Sequence, residues 1–324
     1  MTAPNIHNVR WLLVGLLFAA FLIGLVALAA ATGWDDVLAA VDRLTPAQYA
    51  ILLGLSLANY LFRGMRWHLL CGALSIPAAF TSSMRNYLGG FAMTVTPGRI
   101  GELIRLRWIH RETGRRADST GALVIADRAA DLASVGLMLA IAIAFSTAGL
   151  DGGWLVALIA VALAYAATRP RLFHVALTTA YRLLGIMPRI FAGLRRAALG
   201  LERFSTPMVL TPVLLLSTLG WIAEATAFWL LLGWLGADVS FAIAVAVFAF
   251  AMLSGGATGL PGGIGGAEAA MVAVLMLVKV PLEIALPATA IIRLTTLWFA
   301  IGVGIAVFPF AERAASAATL PREA

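Results

Sequence analysis

Apolar positions in this chain gather into long uncharged runs, at 11–34, 44–62, 132–150, 152–168, 204–223, 239–267 and 294–311. About 20 consecutive apolar residues cross the hydrocarbon core of a bilayer, so these runs predict membrane-spanning helices. The first run is too long for the core of a signal peptide and reads as a retained helix. Two stretches spoil the pattern: MTVTPGRIGELIRL at 93–106 and GLPGGIGGAEAAMV at 259–272. Each places a Pro-Gly break and a glutamate inside apolar surroundings.

The charges between runs order them across a membrane. Arginine collects at the N-terminal flank, at 63–85, at 105–118 and at 169–207, whereas 33–46, 151–153 and 236–240 are acidic. The positive-inside bias places the basic segments in the cytoplasm. Segment 86–104 then has basic flanks on both sides and must return to the face it entered from. A half-helix of about 12 residues reaches only some 18 Å, which suits such a hairpin. Segment 241–278 behaves the same way from the opposite face.

The predicted fold is therefore an all-α polytopic membrane protein, one integral-membrane domain over 1–324. It reads as an inverted repeat of span, span, re-entrant hairpin, span, making six full spans and two hairpins. Repeat 1 covers 10–150 and repeat 2 covers 151–310, with 169–207 as an amphipathic linker on the inner leaflet and both termini cytoplasmic. The spacing from Glu102 to Arg128 nearly matches that from Glu268 to Arg293.

Composition narrows the function classes. Hydrophobic residues make up 61% of the chain and charged residues 12%, about half the charged share of a soluble domain. The lone Cys71 excludes an internal disulfide, and the four histidines are far apart with no metal-ligand spacing. No phosphate-loop or dinucleotide fingerprint is present, so no cofactor is expected. The net charge of +7 lies in loops beside apolar spans, the pattern of orientation signals and anionic lipid contact rather than of nucleic-acid binding. Most tryptophans, among them Trp67 and Trp108, fall near predicted span ends and read as interfacial belt residues.

The breaks carry the candidate chemistry. Thr96 can cap a new half-helix, and Pro97 suits its first turn. With Gly98 behind them, the free N–H groups of that half-helix invite an anion such as a phosphate. Arg99 adds positive charge there, and Glu102 can pair with it or hold another arginine. Pro261, Gly262, Gly263 and Gly265 repeat the break, with Glu268 as the acid. The plainer alternative is two ordinary loops at span ends. Asp127, Arg128 and Asp131 share one side of the third span, and Glu224 and Arg293 lie well inside later ones. A charge near the bilayer centre costs about 3 kcal/mol or more, so each needs a partner or water. Structural pairing between helices and a shared polar cavity both satisfy that need. Arg63 and Arg66 read equally as orientation anchors and as headgroup contacts.

The set Arg63-x-x-Arg66-Trp67, Pro97-Gly98-Arg99-Ile100-Gly101-Glu102 with Arg105, Asp127-Arg128 with Asp131, and Pro261-Gly262-Gly263-Ile264-Gly265 with Glu268 resembles the lysylphosphatidylglycerol synthase transmembrane-region family. Its members are also called flippase-like domain proteins. The resemblance covers roughly 10–310. Asp127 departs from it, a glutamate being expected before the arginine, and is placed with Asp131 behind the contact residues. The family associates this domain with moving lipids between leaflets. In the synthases it is fused to a soluble aminoacyl-transfer domain, and a chain ending at 324 implies a stand-alone unit without synthase activity.

The expectation is a non-enzymatic lipid flippase of the bacterial inner membrane. Its substrate would be a phospholipid or a polyprenyl- or hopanoid-type lipid, met by Arg63, Arg66, Arg99, Glu102, Arg105, Arg128, Glu224, Glu268 and Arg293. Membrane lipids are the expected partners, with a lipid-synthesis enzyme as a further one. The rivals are an ion-coupled transporter of a small solute, a membrane enzyme acting on a lipid-linked substrate, and an accessory protein of envelope synthesis.

Overall fold

A computed structural model describes residues 34–96, 101–115, 117–145 and 201–318, with 158, 159, 162, 175, 178 and 179. Nearly all of the predicted spans 11–34 and 152–168 and most of the linker 169–207 lie outside the described residues, as do Pro97, Gly98 and Arg99. All regular structure among the described residues is helical. In chain order it comprises α1 (Trp34–Arg43), α2 (Pro46–Ala73), α3 (Phe80–Gly90), α4 (Ile104–Thr113), α5 (Ala117–Phe145), α6 (Pro207–Trp234), α7 (Phe241–Ala257), α8 (Gly266–Leu277) and α9 (Leu282–Ala317).

Local sequence explains where these helices start and stop. The Thr45 hydroxyl accepts from the Gln48 N–H at 3.4 Å while Gln48 Oε1 accepts from the Thr45 N–H at 2.7 Å, with Pro46 opening α2. Ser240 caps α7 by accepting from the Ile243 N–H at 3.3 Å. Gly114, at φ 73°, ends α4 in the left-handed conformation that glycine adopts without steric cost. Among the described residues, three apolar helices are long enough to cross a membrane: Thr120–Phe145 within α5, α6 and α9. Helix α2, of 28 residues, is also long enough at about 42 Å, but carries Arg63 and Arg66 buried in its second half.

Apolar clusters position everything else. One joins the end of α5, the end of α6, α7, α8 and the start of α9 with Leu52 near the start of α2. Another joins the end of α2, α3, α4 and the start of α5 with Val213 near the start of α6. The broken pairs α3/α4 and α7/α8 thus occupy opposite ends of the bundle. Helices α2 and α6 run in opposite directions and pack along each other, with Asn59 against Gly220. Helix α3 leans on α9, and α7 leans on α5. A small cluster comprises Leu297, Trp298 and Ile301 of α9, with Val95 from the first break and Ile264 from the second. The tips of both breaks therefore meet on one stretch of α9.

That stretch is not plain α-helix. Leu294–Trp298 winds as a π turn, a form that leaves backbone groups without their usual helical partners. The Tyr60 hydroxyl donates to the Thr296 carbonyl, and Thr296 turns its own hydroxyl onto the Ile292 carbonyl at 2.6 Å. Beyond it, Gly304 lies so close to the first break that a Cβ there would fall 2.2 Å from the Ala92 nitrogen.

Candidate functional site: ion pairs at two helix breaks

At the first break, α3 runs on into a 3₁₀ turn at Phe91–Met93, and on the far side a 3₁₀ turn at 101–103 leads into α4. Thr96 works across the gap. Its hydroxyl donates to the Met93 carbonyl and accepts from the Gly101 N–H, both at 2.7 Å. Thr96 therefore ties the end of the first arm to the start of the returning one.

Glu102 is the hub of this break. Its Oε1 accepts from the Thr94 hydroxyl at 3.1 Å, and its Oε2 contacts both Arg128 and Arg105, the latter at 3.2 Å. Helix α5 turns Asp127, Arg128 and Asp131 toward α2. Arg66 donates through Nε and Nη2 to Asp127 at 3.1 and 2.5 Å, and through Nη1 to Asp131 at 2.7 Å and to Ser217 at 2.6 Å. Arg63 donates to the other Asp131 oxygen at 2.7 Å, and the Trp221 indole N–H adds a third donor at 3.1 Å. Arg128 reaches Asp127 and Asp131 at 3.6 Å each. Glu224 lies within electrostatic reach of Arg63 and Tyr60. Four guanidiniums (63, 66, 105 and 128) thus face four carboxylates (102, 127, 131 and 224).

Burial within this mesh is uneven. The Arg66 side chain is 0% exposed and that of Arg128 is 33% exposed, which makes Arg128 the most open of its ion-paired side chains. Arg105 is enclosed. Its guanidinium carbon lies 4.2 Å from the Tyr87 ring centroid and 5.5 Å from those of Trp67 and Phe91, with its Nε against Gly90. The aromatic faces take the place of hydrogen bonds for its Nε and Nη2, which have none.

The second break is held differently. Gly262, Gly263 and Gly265 have φ of 61°, 69° and 84°, values that side-chain-bearing residues rarely adopt. Glu268 Oε2 accepts from the Gly265 N–H at 2.6 Å, and its Oε1 accepts from Arg293 Nε at 2.5 Å. Arg293 also donates to the Gly262 carbonyl at 2.9 Å, so one side chain clasps both ends of the glycine turn. The matching sequence spacings of Glu102–Arg128 and Glu268–Arg293 are thus two direct ion pairs.

One reading of the sequence needs correction. Trp67 and Trp108 are fully buried rather than interfacial. Trp67 stacks near Tyr87, and Trp108 donates to Glu312 at 2.8 Å. The third span runs through Asp127, Arg128 and Asp131, as expected, because ion pairing satisfies their charges. Sequence reasoning missed the aromatic enclosure of Arg105, the Ser217 contact and the π turn. Only the Ser217 contact left a trace, a polar residue two turns before Glu224 on the same helical face.

Fold and site together define a class: an α-helical membrane protein with two broken helix pairs, each closed by a glutamate–arginine pair. The chain belongs to the lysylphosphatidylglycerol synthase TM region family, whose model matches residues 12–304. It is also similar to a UPF0104 membrane protein of Methanothermobacter thermautotrophicus, at 26% identity over 317 residues, covering 89% of this chain and 93% of that one.

Proposed function

We propose that this protein moves a lipid across the cytoplasmic (inner) membrane, its headgroup travelling along the polar surfaces of the two breaks while the acyl chains stay in the bilayer. The observation that carries the reading is the ion-pair mesh itself. Charges at membrane depth are costly, and where they persist they mark substrate or ion paths. Here they gather around the interrupted helices, whose tips converge on one helix, and non-helical backbone at such depth needs protein or water around it. The opposed directions of α2 and α6 and the opposite placement of the breaks support two inverted units, 10–150 and 151–310, a plan suited to alternating access. In this reading the protein catalyses no covalent step and both termini are cytoplasmic.

The test is reconstitution into liposomes with acyl-labelled phospholipids and no nucleotide. Exchange between leaflets should run at least tenfold above protein-free vesicles and fall toward background in Arg128→Gln and Arg293→Gln proteins that remain monodisperse. The same vesicles loaded with a small water-soluble solute decide the rival reading. Solute flux without lipid exchange would assign the breaks to a solute transporter. Cysteines placed at the exposed Asp238 and Arg115 should label from opposite sides, in a background lacking the buried Cys71.

A further inference from the structure

Resting on the lipid-transport reading, we infer that the headgroup received at the first break is a phosphodiester carrying a tethered primary ammonium, net neutral, as in an ethanolamine phospholipid. The argument starts from access. Of the ion-paired side chains in the mesh, Arg128 alone is one-third exposed, so an entering phosphate meets its guanidinium first. Arg128 is framed by three carboxylates: it contacts Glu102 and lies 3.6 Å from both Asp127 and Asp131. An anion drawn to that single cation is brought against three negative groups. A phosphomonoester, with its second charge, fares worst.

A second observation points to the other half of the ligand. Asp127 Oδ2 is buried and accepts no hydrogen bond, although the side chain is only 1% exposed. A buried carboxylate oxygen without a donor is an unfilled acceptor. Arg128 Nη2 is near it, at 3.6 Å, but beyond hydrogen-bond distance. When the Arg128 guanidinium turns to a phosphate, Glu102 and Asp127 are left facing the space it leaves. An ammonium offers up to three N–H donors to those oxygens. The inner salt of the headgroup then replaces the Glu102–Arg128 pair, and the net charge of the site is unchanged. Glu102 stays held by Arg105, which its aromatic enclosure keeps in place. A quaternary choline brings the same charge without donors and fills the site less well.

The experiment compares headgroups in the full-length protein. Acyl-labelled ethanolamine, choline and glycerol phospholipids are followed in separate liposomes, each against protein-free vesicles. The ethanolamine lipid should exchange at least fivefold faster than the choline lipid and tenfold faster than the glycerol lipid. In Glu102→Gln, which keeps a hydrogen-bonding side chain but loses the negative charge, the ethanolamine-to-glycerol ratio should fall to within twofold. Equal or faster exchange of the glycerol lipid in the wild-type protein overturns the headgroup assignment and leaves lipid transport standing. Absence of acceleration for all three overturns the transport reading and this assignment with it. If Glu102→Gln does not fold, the wild-type ratios alone decide.

Discussion

The two breaks perform one task, closing an interrupted helix inside the bundle, by different means. The first is held from outside itself. Glu102 is reached by Thr94 of the break and by side chains from α4 and α5, and Arg63, Arg66 and Asp131 extend the mesh to α2 and α6. The second is held by its own backbone, three glycines at positive φ, and by one clasping arginine. Electrostatic closure spreads the load over many groups and leaves Arg128 partly open. Conformational closure gives a compact turn with little redundancy. A headgroup can exchange with the first kind of closure, whereas the second can only open as a unit.

The largest expected effect breaks the mesh at its centre. Arg66→Ala strands Asp127 and part of Asp131 in a buried setting, and leaving a buried charge unpaired costs about 3–5 kcal/mol. Folded yield and thermal unfolding in detergent should show it as a loss of most of the protein, with Arg66→Lys partly restoring it. Wild-type yield for Arg66→Ala would mean the mesh is not structural.

Next comes the backbone of the second break. Gly263→Ala puts a Cβ 3.1 Å from the Gly255 carbonyl carbon and oxygen at a φ of 69°. The strained φ alone costs about 1–3 kcal/mol, and thermal melts should fall accordingly, with no comparable loss for Gly256→Ala, where the space is open. Smaller again is Thr96→Val. It removes one donor and one acceptor across the first break, at about 1–2 kcal/mol, readable as faster amide exchange near Gly101.

The finest test compares the two ion pairs directly. Double-mutant cycles to glutamine at Glu268–Arg293 and Glu102–Arg128 should both show coupling, within the range of about 0.5–3 kcal/mol for residues in contact. The Glu268–Arg293 pair should couple more strongly, because Glu102 keeps Arg105 when Arg128 is lost. Equal coupling would erase the distinction between shared and single closure.

Much of this was legible in the sequence, for a physical reason. A charge in an apolar run must find a partner, so Glu102, Arg128, Glu268 and Arg293 were marked as needing one, and their matched spacings pointed to two equivalent places in the fold. Pro261 and the glycines likewise announced a turn, because few other residues tolerate those backbone angles. What stayed hidden depends on who meets whom across helices. Arg63 and Arg66 beside Trp67 look the same whether they flank a membrane or pair with Asp131 and Asp127. The ring faces around Arg105 come from α2 and from α3 with its 3₁₀ extension, and no local pattern links them to it. The π turn in LTTLW has no sequence signature of its own beyond two β-branched threonines.

That π turn has a consequence for chain length. Each residue of an α-helix advances the winding by about 100°, and a π turn absorbs roughly one extra residue into an otherwise regular helix. Arg293 before it and Gly304 after it must face different breaks at once, one clasping Gly262, the other lying against Phe91 and Ala92. Wound uniformly, the same residues would rotate Gly304 away and drive a side-chain-bearing neighbour into that backbone. A single-residue deletion within Leu294–Trp298 is therefore the mildest indel α9 can accept, since it removes the surplus residue and preserves the phase on both sides. The same deletion between Phe299 and Gly304 would leave the surplus in place and put the two ends of the helix out of step.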